Sequence, residues 1–148
     1  MSILEKIDKD LIKALKSGEK EKVTVLRGLK SDIKYKRIDK GKDLTDEEVT
    51  DVLSGVNKKI KDSIEQFEKG GREDLVSKEQ QALEIVSEYL PEQLDEQQLR
   101  DIVQGAVEET GADSPGQMGL VMKNVIPKVK GRADGKLISK LVIEILAK

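Results

Sequence analysis

The chain has 148 residues, 36% of them apolar, which is enough for one compact domain or two small ones with a genuine core. It contains no cysteine and no histidine, which excludes disulfides, thiolate metal sites, thiol nucleophiles, and the commonest zinc ligand and general base. The net charge of -2 conceals a segregation: residues 1 to 43 carry 13 basic and 8 acidic side chains, residues 44 to 111 carry 7 and 18, and residues 112 to 148 carry 7 and 3. Two basic ends therefore flank an acidic middle, a pattern compatible with a polyanion partner. One Phe, two Tyr and no Trp leave little to stack on unpaired bases, so single-strand base reading is not expected. No apolar run follows a basic leader, and none reaches the roughly 20 residues a membrane span needs. The expectation is a soluble chain in the cytoplasm with no membrane partner.

In chain order, Ile3, Leu4, Ile7, Leu11, Ala14 and Leu15 share one face at helical spacing, with Ser2 placed to cap the start and Ser17-Gly18 to stop the helix. Val23, Leu26, Leu29 and Ile33 resume the period from about Glu19 until Asp39 to Lys42 break it. The short turn implies a second helix antiparallel to the first. Lys30, Lys34 and Arg37 fall on its other faces and read as a solvated surface, with a binding stripe as the alternative.

Thr45 to Glu48 read as a capping box opening a long third helix. Val49, Val52, Leu53, Val56, Ile60, Ile64 and Phe67 carry its stripe to Gly70-Gly71, a rod of about 25 residues and roughly 37 Å. Asp62, Glu65 and Glu68 invite a metal reading, but Lys58, Lys59, Lys61 and Lys69 lie between and beside them. Intrahelical ion pairs explain the spacing better, so no metal site is expected.

A fourth helix carries Leu75, Ala82, Leu83, Ile85, Val86 and Tyr89 and is stopped by Pro91. Apolar residues flank that proline, which places a packed hinge at 91–94 between an N-terminal helical subdomain, 1–90, and a C-terminal three-helix subdomain, 95–148. Asp95 with Gln98 opens the fifth helix, Leu99, Ile102, Val103, Ala106 and Val107 form its stripe, and Gly111 closes it. Ser114-Pro115 opens the sixth, with Met118, Val121, Met122, Val125 and Ile126 on its apolar face and Pro127 as its end. Asp134 caps the seventh, whose stripe is Leu137, Ile138, Leu141, Val142, Ile145 and Leu146. The expected fold is all-α: four helices, one of them long, then three shorter ones.

The candidate site lies between the last two helices, at Lys128, Lys130, Gly131, Arg132, Gly135 and Lys136, with Lys140 one turn further on. Glycines permit close backbone approach, and a helix N-terminus flanked by cations suits a phosphate. Lys136 falls in a first helical turn, where the macrodipole disfavours a cation, and that local misfit points to function. The alternative is a turn, a cap and a soluble surface.

Three stretches carry a resemblance: KDSIEQFEKGGREDL from Lys61 to Leu75, YLPEQL from Tyr89 to Leu94, and KGRADGK from Lys130 to Lys136. The chain resembles, over its whole length, the YqeY-like proteins of bacteria. That family is related to the C-terminal tail of the B subunit of the tRNA-dependent amidotransferase, which converts misacylated glutamyl-tRNA(Gln) or aspartyl-tRNA(Asn), and the same module is appended to some glutaminyl-tRNA synthetases. The resemblance implies a module that recognises tRNA while other domains carry the chemistry. No P-loop, amidase serine-lysine constellation or zinc ligand set can be placed here, so no catalytic residue and no cofactor is expected. The expected function is a non-catalytic adaptor contacting tRNA by shape and phosphates. A protein-interaction module docking an aminoacyl-tRNA enzyme is the alternative, and carbon-nitrogen ligase activity together with other subunits is the third.

Overall fold

The computed structural model describes residues 1–147, which form seven α-helices, one 3-10 turn and, among the described residues, no strand. The helices are α1 (Ile3–Ser17), α2 (Lys20–Lys40), α3 (Asp46–Lys69), α4 (Glu73–Ser87), α5 (Glu96–Thr110), α6 (Met118–Val129) and α7 (Gly135–Leu146). The fold is all-α, as the periodicity predicts. None of these helices is long and apolar enough to cross a membrane. The chain divides into two compact units, Met1–Pro91 and Glu92–Lys148.

Helix ends follow local chemistry. Ser2 accepts from the N-H of Glu5, while Thr45 with Glu48 and Asp95 with Gln98 both form complete capping boxes. Gly18, Gly41 and Gly111 close α1, α2 and α5 in the left-handed conformation that disfavours any side chain.

In the first unit, Ile7, Leu11 and Ala14 of α1 meet Val23, Leu26, Leu29 and Ile33 of α2, Val49 and Leu53 of α3, and Val86 of α4. Tyr89 and Leu90 complete this core, and the Tyr89 hydroxyl donates to the Asp10 carboxylate at 2.5 Å. Burial first, and then that carboxylate, push the Tyr89 phenol well above its ordinary pKa. Every fully buried residue of α3 lies between Val49 and Asn57, and none between Lys58 and Ile85 is fully buried. The distal part of α3 and the start of α4 thus pack on each other as a two-helix arm with half-buried Ile64, Phe67 and Leu75. On the arm, Glu65 pairs with Lys69 at 3.3 Å.

In the second unit, Leu99, Val103 and Ala106 of α5, Val121, Val125 and Val129 of α6, and Ile138, Leu141, Val142 and Leu146 of α7 enclose a three-helix core. Arg100 on α5 bonds both Glu96 and, at 3.0 Å, Glu144 of α7. Pro115 opens a 3-10 turn, Pro115–Gln117, before α6 begins, and Gln117 receives the N-H of Asp113.

Two expectations about α6 fail together. Pro127 does not end the helix, which runs on to Val129. Val129 extends the Val121 and Val125 stripe by one more turn and is 1% exposed, so its burial outweighs the backbone hydrogen bond that proline cannot donate. Ile126, expected on the apolar face, is 47% exposed because that stripe is set by the four-residue valine spacing.

Glu48 joins α2 to the start of α3. Its Oε1 accepts from Lys40 Nζ and from the N-H of Thr45. The bond from Lys40 and then that from Thr45 hold its carboxyl down to about 2 from an ordinary 4.5. Such a group stabilises the fold above its unfolded pKa and loses that contribution as pH falls toward its folded one. Thermal melts of Glu48→Gln should therefore lie below wild type at neutral pH. The gap should begin to close below pH 4.5 and vanish near pH 2; a gap independent of pH would refute the linkage.

Candidate nucleic-acid interface

Between α6 and α7 the chain turns through Lys130 to Asp134. Gly131 has φ 75°, and the N-H of Arg132 donates back to the Val129 carbonyl at 2.8 Å. Residues 92–94 of the same unit hold this turn. The N-H of Leu94 donates to the Arg132 carbonyl at 2.9 Å, Gln93 Nε2 to the Gly131 carbonyl at 2.8 Å, and Arg132 Nε to the Glu92 carbonyl at 3.2 Å. Backbone that would otherwise hang in solvent is thereby satisfied and fixed.

Asp134 then opens α7. Its side chain accepts from the N-H of Lys136 at 3.0 Å and its carbonyl from Ile138 at 3.0 Å. A carboxylate thus already stands at the helix N-terminus, where an incoming phosphate was expected to sit. The same carboxylate offsets the unfavourable placement of Lys136 in the first turn.

The expected site residues separate into three groups. Gly131 and Arg132 are half-buried parts of the pinned turn. Lys128 faces Glu109, with Nζ 3.1 Å from Oε2, and Asn124 bonds the same oxygen. The Lys128 ammonium beside it, and then Asn124, lower the Glu109 carboxyl below its ordinary range. Lys130, Gly135, Lys136 and Lys140 are exposed, with Lys136 and Lys140 one turn apart on α7. Sequence reasoning missed Glu92, Gln93 and Glu109, whose partners lie 40, 38 and 19 residues away. No local spacing could reveal them.

Counted unit by unit, the charges nearly balance. In the first unit, residues 1 to 43 hold 13 basic and 8 acidic side chains, and residues 44 to 91 hold 6 and 12. In the second, residues 92 to 111 hold 1 and 6, and residues 112 to 148 hold 7 and 3. Each unit is nearly neutral in sum and polarised internally, with its excess cations on α1 and α2 or on α6 and α7.

The left-handed Gly131 gives a structural control for the turn. Gly131→Ala should lower stability by about 1–2 kcal/mol, the cost of a side chain in that conformation. Denaturant unfolding measures it, and an unchanged midpoint would show that the turn relaxes freely.

The family model of the Yqey-like protein matches residues 4–146. The protein named altered inheritance of mitochondria protein 41, mitochondrial, from Pyrenophora tritici-repentis is 32% identical over 97% of this chain and 81% of its own length. Its namesake from Lachancea thermotolerans is 44% identical over 57% of this chain, and the match spans 46% of that protein, about half its length. A glutamyl-tRNA(Gln) amidotransferase subunit of Thermococcus gammatolerans is 32% identical over 81% of this chain but only 19% of its own length. With nearly the whole chain matched by the family model and by a relative covered over 81% of its own length, this protein belongs to the Yqey-like family.

Proposed function

We propose that the chain is a non-catalytic module that binds tRNA through its phosphates and shape. The observation that carries this reading is the match to one fifth of an amidotransferase component whose name gives glutamyl-tRNA(Gln) as its substrate. The match covers 19% of that protein, a domain-sized part of it and not the whole. The exposed Lys130, Lys136 and Lys140 supply cations at the polarised end of the second unit. Contacts of this kind hold a backbone and carry no base information. The cytoplasmic placement stands as part of this proposal. Curated relatives have mitochondrial names, and tRNA is present in either compartment.

A gel-shift titration of the full chain with bulk tRNA over a salt series tests the reading. Binding should be present at low salt and fall steeply as salt rises. Lys136→Ala combined with Lys140→Ala should reduce the log-log salt slope by roughly 1.4 to 1.8, since each lost phosphate contact removes roughly 0.7 to 0.9. The weakening should be similar across tRNAs of different sequence. No binding at low salt, or binding indifferent to salt, sinks the proposal. An aminoacyl-tRNA enzyme that stays bound after nuclease treatment would instead favour a protein-docking module.

A further inference from the structure

On α2, Arg27, Lys30, Lys34 and Arg37 recur at intervals of three and four residues, so they follow one line over about 15 Å of helix. The fold turns that line into a wall of a groove beside α1, with a volume of about 490 Å³. Leu4 and Ile33 give it an apolar lining, and Asp8 is its one acidic lining residue.

Asp8 is already engaged, at 2.7 Å from Lys30 Nζ. Arg37 lies 3.3 Å from Asp43, whose side chain is 91% exposed, so that pair contributes little in water. Arg27 and Lys34 are exposed, and among the described residues neither takes part in an ion pair. Past Arg37 the surface becomes acidic at Asp43 and Asp46, which bounds the basic run at that end. Like charges one turn apart repel each other. A concave, low-dielectric wall concentrates their field, so a polyanion lying in the groove relieves the repulsion.

We propose that this α1–α2 groove is a second nucleic-acid contact, taking the phosphate backbone of structured RNA. The inference rests on the RNA-binding reading above and adds to it a site in the first unit. A line of about 15 Å reaches a few phosphates of one strand, whose charges advance roughly 3.4 Å each along a duplex axis. No lining residue is aromatic, so the groove has no platform for stacking bases and is indifferent to sequence.

The test uses the full chain with two probes, bulk tRNA and a duplex RNA of about 16 base pairs in two unrelated sequences. Affinity is measured between about 50 and 200 mM salt. Arg27→Gln combined with Lys34→Gln should lower the salt slope for the duplex by roughly 1.8, so that the loss of affinity over that range shrinks about tenfold. Both duplex sequences should respond alike. Arg27→Lys with Lys34→Arg should retain binding, and Lys58→Gln with Lys59→Gln on the exposed side of α3 should leave the slope unchanged. If the groove variant binds RNA as wild type while the α7 variant weakens, the groove is overturned and the tRNA reading survives. If wild type binds neither probe, both fall. If the groove variant keeps RNA binding and loses affinity for phosphatidylcholine vesicles containing phosphatidylserine, the groove serves a lipid surface and the inference is wrong.

Discussion

The first unit depends on the burial of the opening turns of α3. Val49 and Leu53 lie in the one place where α1, α2 and the end of α4 close around a common centre. Each fully buried aliphatic side chain there contributes about 1.5–3 kcal/mol, and no aromatic ring other than Tyr89 shares the burden. Glu48 fixes where that helix starts, and the Tyr89 bond to Asp10 holds the chain after α4 against α1. Beyond Ile60 the rod outruns the core. Its continuation survives as an arm because α4 covers one of its faces, and half-buried pairs replace full burial.

The second unit solves a different problem. Its three helices bury a valine-rich stripe, and the turn between α6 and α7 is held by residues 92–94 before α5 begins. The cations of this turn are therefore unequal. Arg132 is part of the scaffold, Lys128 serves Glu109, and the lysines of α7 are exposed to solvent. Asp134 makes the same point with opposite charge: the residue that starts α7 also stands in the way of an anion at its N-terminus. Under the proposed tRNA reading, binding energy comes from side chains flanking the cap.

Polarisation within each unit gives the charge pattern its meaning. In each unit the acidic and the basic excess fall on different helices, so each is nearly neutral in sum. Under the proposed reading, that segregation gives weak, salt-dependent association with a polyanion. The α1–α2 groove and the lysines of α7 are its two most concentrated expressions.

The amino-acid order by itself determined the helices, their caps and nearly all of the buried stripes. Each of these is decided within about four residues, by side-chain oxygens meeting free N-H groups and by apolar spacing. Thr45, Asp95, Gly18 and Gly111 were all legible for that reason. Tertiary structure decided whatever required distant partners. Pro127 looked like a stop until the burial of Val129 carried α6 past it. The basic residues of α2 read as a solvated face until α1 supplied the other wall of their groove. Arg132 and Lys128 resembled free cations, but the Glu92 backbone carbonyl and the Glu109 carboxylate, 40 and 19 residues away, engage them. Charge on a single helix is ambiguous because its energy depends on what faces it, and only packing brings that neighbour near.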